Sequence, residues 1–270
     1  MEEKEEVQKP VEEKAVEEQA VEKKAVEKKQ ELFGIRPVME AIKDGKDVDK
    51  VLIQKGLQGE LIKELWDLIK GYKVAYQIVP AQKLSRVSKK NHQGVIAFMS
   101  PISFQNVGEV LMSIYEKGET PLFLMLDRIT DVRNFGAIAR TAECAGVHAI
   151  ILPEKGSARI NSDALKTSTG ALNKIPVCRE HNLKNTIQFL KDSGLKIVGC
   201  TEKTNETVYD VDYSDPCVIV MGSEEDGISM EYLKMCDNRA LIPMKGKTES
   251  LNVSVACGII IYEAVRQRSI

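Results

Sequence analysis

The chain is poor in the residues that build metal centres. It has three histidines and six cysteines in 270 residues, and no two cysteines form a C-x-x-C pair. That spacing excludes a finger-type zinc site, and the scattered thiols (Cys144, Cys178, Cys200, Cys217, Cys236, Cys257) suit a reducing compartment better than a disulfide framework. Long apolar runs are missing too. Nothing approaches the ~18 consecutive residues of a membrane span, and the opening MEEKEEVQKP lacks the apolar core of a signal peptide. A cytoplasmic protein without a metal or a membrane partner is expected. Positive charge is not in excess: 38 Lys and Arg stand against 40 Asp and Glu, a formal net of -2, which excludes a uniformly basic nucleic-acid coat. Phosphate loops are absent as well. No G-x-G-x-x-G occurs, and although Gly246, Lys247 and Thr248 imitate the end of a Walker loop, its first glycine would fall at Leu241.

Residues 1–30 hold 10 Glu and 7 Lys, from Val11 to Gln30 in five-residue steps such as VEEKA and VEKKA, which leaves 31 basic and 30 acidic residues for the rest of the chain. A five-residue step turns each valine by about 140° on a helix, so Val11, Val16, Val21 and Val26 form no apolar stripe and the segment reads as a solvated, disordered tail. Any nucleic-acid site in the near-neutral remainder has to be a local patch.

Folded sequence begins near Leu32. Helices are predicted around Pro37–Ile42, over Glu60–Ile69 and near Leu84, with strands at Lys50–Gln54, Lys73–Val79 and Gly94–Met99, making a small α/β domain over 31–100. A linker and first helix occupy 101–118. From 119 to 270 the pattern predicts strands at Leu122–Leu126, Ala149–Leu152, Lys196–Cys200, Cys217–Met221 and Ala240–Ile242. Helices fall near Gly136–Ala145, Leu183–Lys191, Met230–Met235 and Val253–Arg266. Apolar strands such as LFLML and CVIVM belong to a parallel sheet covered on both faces, with ligands beyond its carboxyl ends.

Three strand-end segments hold polar residues that the pattern leaves unexplained. In DRITDVRNFGAIARTAECAGV, Asn134 can cap a helix, Gly136 opens a close approach, and Arg140 lies one turn later on the same face. In VIVMGSEEDGIS a buried strand runs into Gly222 and a polar turn closing at Gly227, with Glu224 facing a ligand or simply starting a helix. In LIPMKGKTESLNVSVACGII, Ser250, Asn252 and Ser254 precede an apolar helix, and any one of them suffices as its cap.

Together these segments resemble the SpoU family of RNA ribose 2′-O-methyltransferases, of the SPOUT superfamily. The match lies in Asn134, Gly136 and Arg140 of the first motif, Gly222, Glu224 and Gly227 of the second, and Ile242, Pro243, Met244 and the run Ser250–Ala256 of the third. LFGIRPVMEAI and NHQGVIAF look like the ends of the substrate-binding domain of ribosomal-RNA members. The resemblance implies a carboxyl-terminal domain with a deep trefoil knot and bound S-adenosylmethionine, with Gly222, Ile242, Met244 and Leu251 at the cofactor. It also implies a homodimer in which Arg140 serves a shared active site, with Asn134, Glu224, Ser250 and Asn252 holding Arg140, ribose and cofactor in register.

The expected reaction is 2′-O-methylation of a guanosine in 23S ribosomal RNA. Transfer RNA is the alternative substrate, and a noncatalytic RNA-binding or assembly protein is the alternative of another class. RNA contacts are expected at Arg36, Lys89, Lys90, His92, Arg133 and Lys166, although His92 also reads as a turn histidine. Arg36, Lys89, Lys90, Arg128, Arg133, Arg140, Lys166, Lys245 and Lys247 are expected to form one continuous basic surface across the dimer. Glu225 stands where many members have glycine and makes its turn more acidic.

Overall fold

The computed structural model describes residues 31–72, 74–248 and 250–269, so the charged tail lies outside the described residues. The chain divides into two compact units between Pro101 and Ile102.

The amino-terminal unit runs β1 (Glu31–Phe33), α1 (Ile35–Lys43), β2 (Val48–Gln54), α2 (Glu60–Gly71), β3 (Tyr76–Val79), α3 (Ala81–Val87) and β4 (Val95–Met99). Its sheet has the order β1-β4-β2-β3, with β4 antiparallel to both neighbours and β2 parallel to β3. Alternation along the strands separates two faces. Val51, Ile53, Val95 and Ala97 meet α1 through Val38 and Ile42, and α2 through Ile62, Leu65 and Ile69, whose three- and four-residue spacing lines one helical face. The other face is thinly covered. There buried Leu52, Val79 and Ile96 pack with Leu84 of the short α3, with Phe33 and Phe98 half-buried beside them.

The carboxyl-terminal unit contains α4 (Val107–Glu116), β5 (Leu122–Leu126), α5 (Val132–Cys144), β6 (Ala149–Pro153), α6 (Ser162–Thr167), β7 (Val177–Glu180), α7 (Leu183–Asp192), β8 (Lys196–Cys200), β9 (Cys217–Met221), α8 (Met230–Leu233), β10 (Asn238–Ala240) and α9 (Val253–Arg268). Its six strands are all parallel, in the order β10-β8-β9-β5-β6-β7. Every residue of β5 and β9 is buried, because helices cover both faces. Phe135, Ile138 and Ala139 of α5 and Cys257, Ile260 and Ile261 of α9 pack on one side. Leu111 of α4 and Ile187 and Leu190 of α7 pack on the other. At roughly 1.5–3 kcal/mol per fully buried large side chain, β5 and β9 anchor the unit and hold the loops at their carboxyl ends in place.

Several boundaries differ from the sequence reading. Strands β1 and β7 and helix α6 were not anticipated, being only three, four and six residues long. The last strand ends at Ala240 rather than running through Ile242, since β10 pairs with Val198–Cys200 and Leu241 instead exchanges hydrogen bonds with Glu206 and Val208. Gly94, with φ +79°, turns the chain into β4 instead of opening the strand. Among the described residues no helix is long and apolar enough to cross a membrane.

Candidate active site

Three loops at the carboxyl ends of β5, β9 and β10 converge through side-chain hydrogen bonds. Asp131, not Asn134, caps α5: its Oδ1 accepts from the backbone N–H groups of Arg133 and Asn134, both at 2.8 Å. That releases the Asn134 side chain from capping. Its Nδ2 donates to Glu224 Oε1, across from the β9 loop. Asn252, the cap of α9, donates from Nδ2 to Asn134 Oδ1 at 3.1 Å and to Glu224 Oε1 at 3.4 Å, while its Oδ1 accepts from Ser254 N and Oγ. One carboxylate is thus held by amides from the first turns of two helices, whose positive dipole ends favour an anion there.

The β9 loop is rigidly framed. A Cβ on Gly222 would lie 2.0 Å from the Gly227 carbonyl carbon and 2.1 Å from Ile228 N, so only glycine lets the chain fold back over this point. Ser223 and Gly227 then exchange two backbone hydrogen bonds, and Gly227 supplies the left-handed φ of +68° that closes the loop.

A second clamp was not anticipated as part of the site. Arg128 sits at φ +59°, a left-handed conformation that costs a non-glycine residue free energy. Its guanidinium binds buried Asp127, Asp226 Oδ2 at 2.9 Å and the Gly227 carbonyl at 3.1 Å. Asp127 also accepts from Ser229 N at 2.7 Å, so the pair fastens the first-motif loop to the second. The hydrogen bond and charge of Asp127, with those of Asp226, raise the Arg128 pKa, so it carries a fixed charge. An acidic residue directly after a buried strand was the available signal in DRITD, because a carboxylate there requires a partner.

These loops enclose a cleft of about 250 Å³ lined by Arg128, Thr130, Asp131, Asn134, Glu224, Glu225, Asp226 and Val253, among others. Four of these residues are acidic and the one cation is bound to carboxylates. Within one chain this cleft is therefore acidic, and the basic surface expected across a dimer does not include it. Lys166 also lies 3.9 Å from Asp163, though both side chains are exposed and such a pair contributes little.

Gly136 does permit a close approach, but from within the chain. A Cβ there would come within 2.6 Å of Thr167 Cβ, so the glycine seats α6 against α5 and opens no ligand gap. Arg140 is exposed, six residues beyond Asn134 and so about 120° around the helix, and makes no ion pair among the described residues. It does not join the Asn134–Glu224–Asn252 cluster, and neither does exposed Ser250. Of the residues expected at the cofactor, Gly222 is buried, Ile242 half-buried, and Met244 and Leu251 are 42% and 36% exposed. Arg36, Lys89, Lys90 and Arg133 are exposed, and His92 closes a turn by accepting from Gly94 N at 3.0 Å.

A family model described as the SpoU rRNA Methylase family matches residues 121–262, and a second, described as RNA 2′-O ribose methyltransferase substrate binding, matches residues 32–105. This chain belongs to the SpoU family. A TrmH family tRNA/rRNA methyltransferase relative from Staphylococcus saprophyticus is 38% identical over 239 residues, covering 88% of this chain and 96% of that one. A Bacillus subtilis relative of the same description is 32% identical over 238 residues, with 88% and 96% covered. Among solved structures, the SpoU methyltransferase AviRb from Streptomyces viridochromogenes, in complex with AdoMet, matches at 26% identity and TM-score 0.56 over 88% of this chain and 90% of that chain. An A. aeolicus TrmH/SpoU tRNA modifying enzyme matches at 34% identity and TM-score 0.51, over 60% of this chain and 84% of its own. In this SpoU chain the described hydrogen bonds tie one polar residue of each family motif, Asn134, Glu224 and Asn252, into a single network.

Proposed function

We propose that the chain is an S-adenosylmethionine-dependent RNA ribose 2′-O-methyltransferase acting on a guanosine of 23S ribosomal RNA. The observation that carries this reading is the Asn134–Glu224–Asn252 network, which brings the three motif loops to one point. Asn252 uses both amide hydrogens within the network. One N–H of Asn134 and Oε2 of Glu224 have no partner among the described residues. A ribose hydroxyl offers the matching acceptor and donor.

The neighbouring loop suits the cofactor. Among the described residues, 242–248, 250 and 251 form no backbone–backbone hydrogen bonds, and Met244 and Leu251 expose apolar side chains beside those open amides and carbonyls. Gly222, Ile242, Met244 and Leu251 would hold S-adenosylmethionine, which supplies an electrophilic methyl group. The knot implied by the family would form where the chain leaving β10 passes residues 201–216, segments joined by hydrogen bonds from Leu241 N to Glu206 O and from Val208 N to Leu241 O.

A ribose hydroxyl is a weak nucleophile at neutral pH, so it must be aligned and its proton taken up. Asn134 and Glu224 align it. Arg140, whose guanidinium is a donor without acceptor capacity, lowers the hydroxyl pKa by its charge rather than acting as a base. Because Arg140 stands away from the network, it serves the site of a second subunit. Val255 and Tyr262, each 51% exposed and seven residues apart on α9, give that homodimer an apolar contact face.

Ribosomal RNA is favoured by the separate domain at 31–100, which matches a substrate-binding model, whereas the likeness to a tRNA modifying enzyme spans 60% of the chain. Incubation with radiolabelled S-adenosylmethionine and either 23S RNA or transfer RNA tests the proposal, with label expected on a guanosine ribose of 23S RNA. Label on a base atom overturns the reaction, and label only on transfer RNA overturns the substrate. Arg140→Ala should abolish transfer while cofactor binding persists; unchanged turnover removes Arg140 from the mechanism.

A further inference from the structure

We propose that the thinly covered face of the amino-terminal sheet docks single-stranded RNA, with Phe33 stacking an unpaired base and Lys83, Arg86, Lys89 and Lys90 holding phosphates. This rests on the RNA-methylating reading and states how that substrate is gripped.

Charge is the first support. Between Asp67 and Glu109 the sequence has no acidic residue, yet it carries Lys70, Lys73, Lys83, Arg86, Lys89 and Lys90. Of these, Lys83 and Arg86 lie on α3 and Lys89 and Lys90 on the turn after it, beside the face that β1 to β4 present to α3, whereas Lys70 belongs to α2 and Glu31, two residues before Phe33, puts one acid on this face. The opposite side is mixed. Helices α1 and α2 balance Arg36, Lys43, Lys63 and Lys70 with Glu40, Glu60, Glu64 and Asp67, so the positive excess of the domain lies on the side of α3 and the turn after it.

The second support is the aromatic group. Phe33 faces the same side as Ile96, its cross-strand partner, and stays half-buried because α3 covers only part of the sheet. The Lys90 ammonium lies 4.6 Å from the Phe33 ring centroid, so one ring face already receives a cation from solvent. A base taking that place lets Lys90 move to the adjoining phosphate. Every base has a π-face while a duplex hides it, so such a platform selects single strands.

Rigidity is the third. The turn carrying Lys89 and Lys90 is fixed by hydrogen bonds from Lys90 N to Ser88 Oγ and from Gly94 N to His92 Nδ1, with Gln93 and Gly94 both at positive φ. Gly34 N donates to Val95 O, which locks the strand bearing Phe33 against the end of that turn. The contacts are thus arranged before RNA arrives.

Fluorescence anisotropy of the full-length protein with a labelled single-stranded 12-mer RNA, and with its duplex, over a salt series tests this. Phe33→Leu is expected to weaken single-strand binding about tenfold, and Phe33→Tyr to leave it unchanged. The double variant Lys83→Gln/Arg86→Gln should reduce the slope of log K against log salt by about 1.4. Lys63→Gln, on α2, should change neither. Unaltered binding by a Phe33→Leu protein with wild-type Tm, or duplex bound as tightly as single strand, overturns the proposal. Should methyl transfer fail on every RNA while these losses persist, the docking face stands and the catalytic reading falls. Active enzyme whose variants bind RNA normally overturns the docking face alone.

Discussion

The cleft of the carboxyl-terminal unit and the thinly covered face of the amino-terminal sheet carry opposite charge. The first is lined by Asp131, Glu224, Glu225 and Asp226 around an Arg128 already bound to carboxylates, while the second is flanked by Lys83, Arg86, Lys89 and Lys90 with Glu31 as its acid. An RNA chain is repelled by the cleft and attracted by the sheet face. On the proposed reading, the difference teaches that affinity and chemistry reside in separate units: one would grip the polyanion, and the other would admit a single ribose to neutral amides and one carboxylate.

The strongest way to break this division is Asn252→Ala. Loss of the amide that joins Asn134 to Glu224 should lower kcat about 10²–10³-fold with RNA affinity unchanged, as read by single-turnover methylation beside anisotropy. A parallel fall in affinity would mean that the cleft grips RNA after all. Gly222→Ala comes next. The added methyl collides with backbone at 2.0 Å, so a cost of about 3 kcal/mol is expected, and a Tm lowered by about 6–12 °C. Arg128→Gln leaves buried Asp127 without its cation and should cost about 2 kcal/mol, together with a partial loss of turnover as the two loops separate. The smallest effect should come from Glu225→Gln, which removes a carboxylate from the cleft mouth and is expected to tighten RNA binding about twofold at low salt. No change there would show that the field at the cleft does not reach bound RNA.

Much of this was legible in the sequence, for physical reasons that also mark the limits. The buried strands LFLML and CVIVM announce themselves because a parallel sheet covered on both faces needs continuous apolar runs, and both are found at the expected residues. Strands β1 and β7 and helix α6 were hidden because three to six residues carry no period, and their pairing partners lie far away in sequence. In the site, Asn134, Glu224 and Asn252 were named and the structure brings them together, whereas Ser250 and Arg140 stay outside the cluster. The cap of α5 was assigned to Asn134 although Asp131 is the better acceptor three residues earlier. Arg128 was read as part of a basic surface because a sequence displays charge but not the distant Asp226 that engages it.

The fold-back at Gly222 also bears on how such a site can diverge. Both ends of the loop are constrained by backbone, through the missing Cβ at Gly222 and the left-handed turn at Gly227, while exposed Glu225 between them makes no hydrogen bond or ion pair among the described residues. Single-step mutational paths are therefore blocked at the hinges and open at the tip. Descendants of this chain can retune the charge presented to substrate one residue at a time while inheriting the loop unchanged.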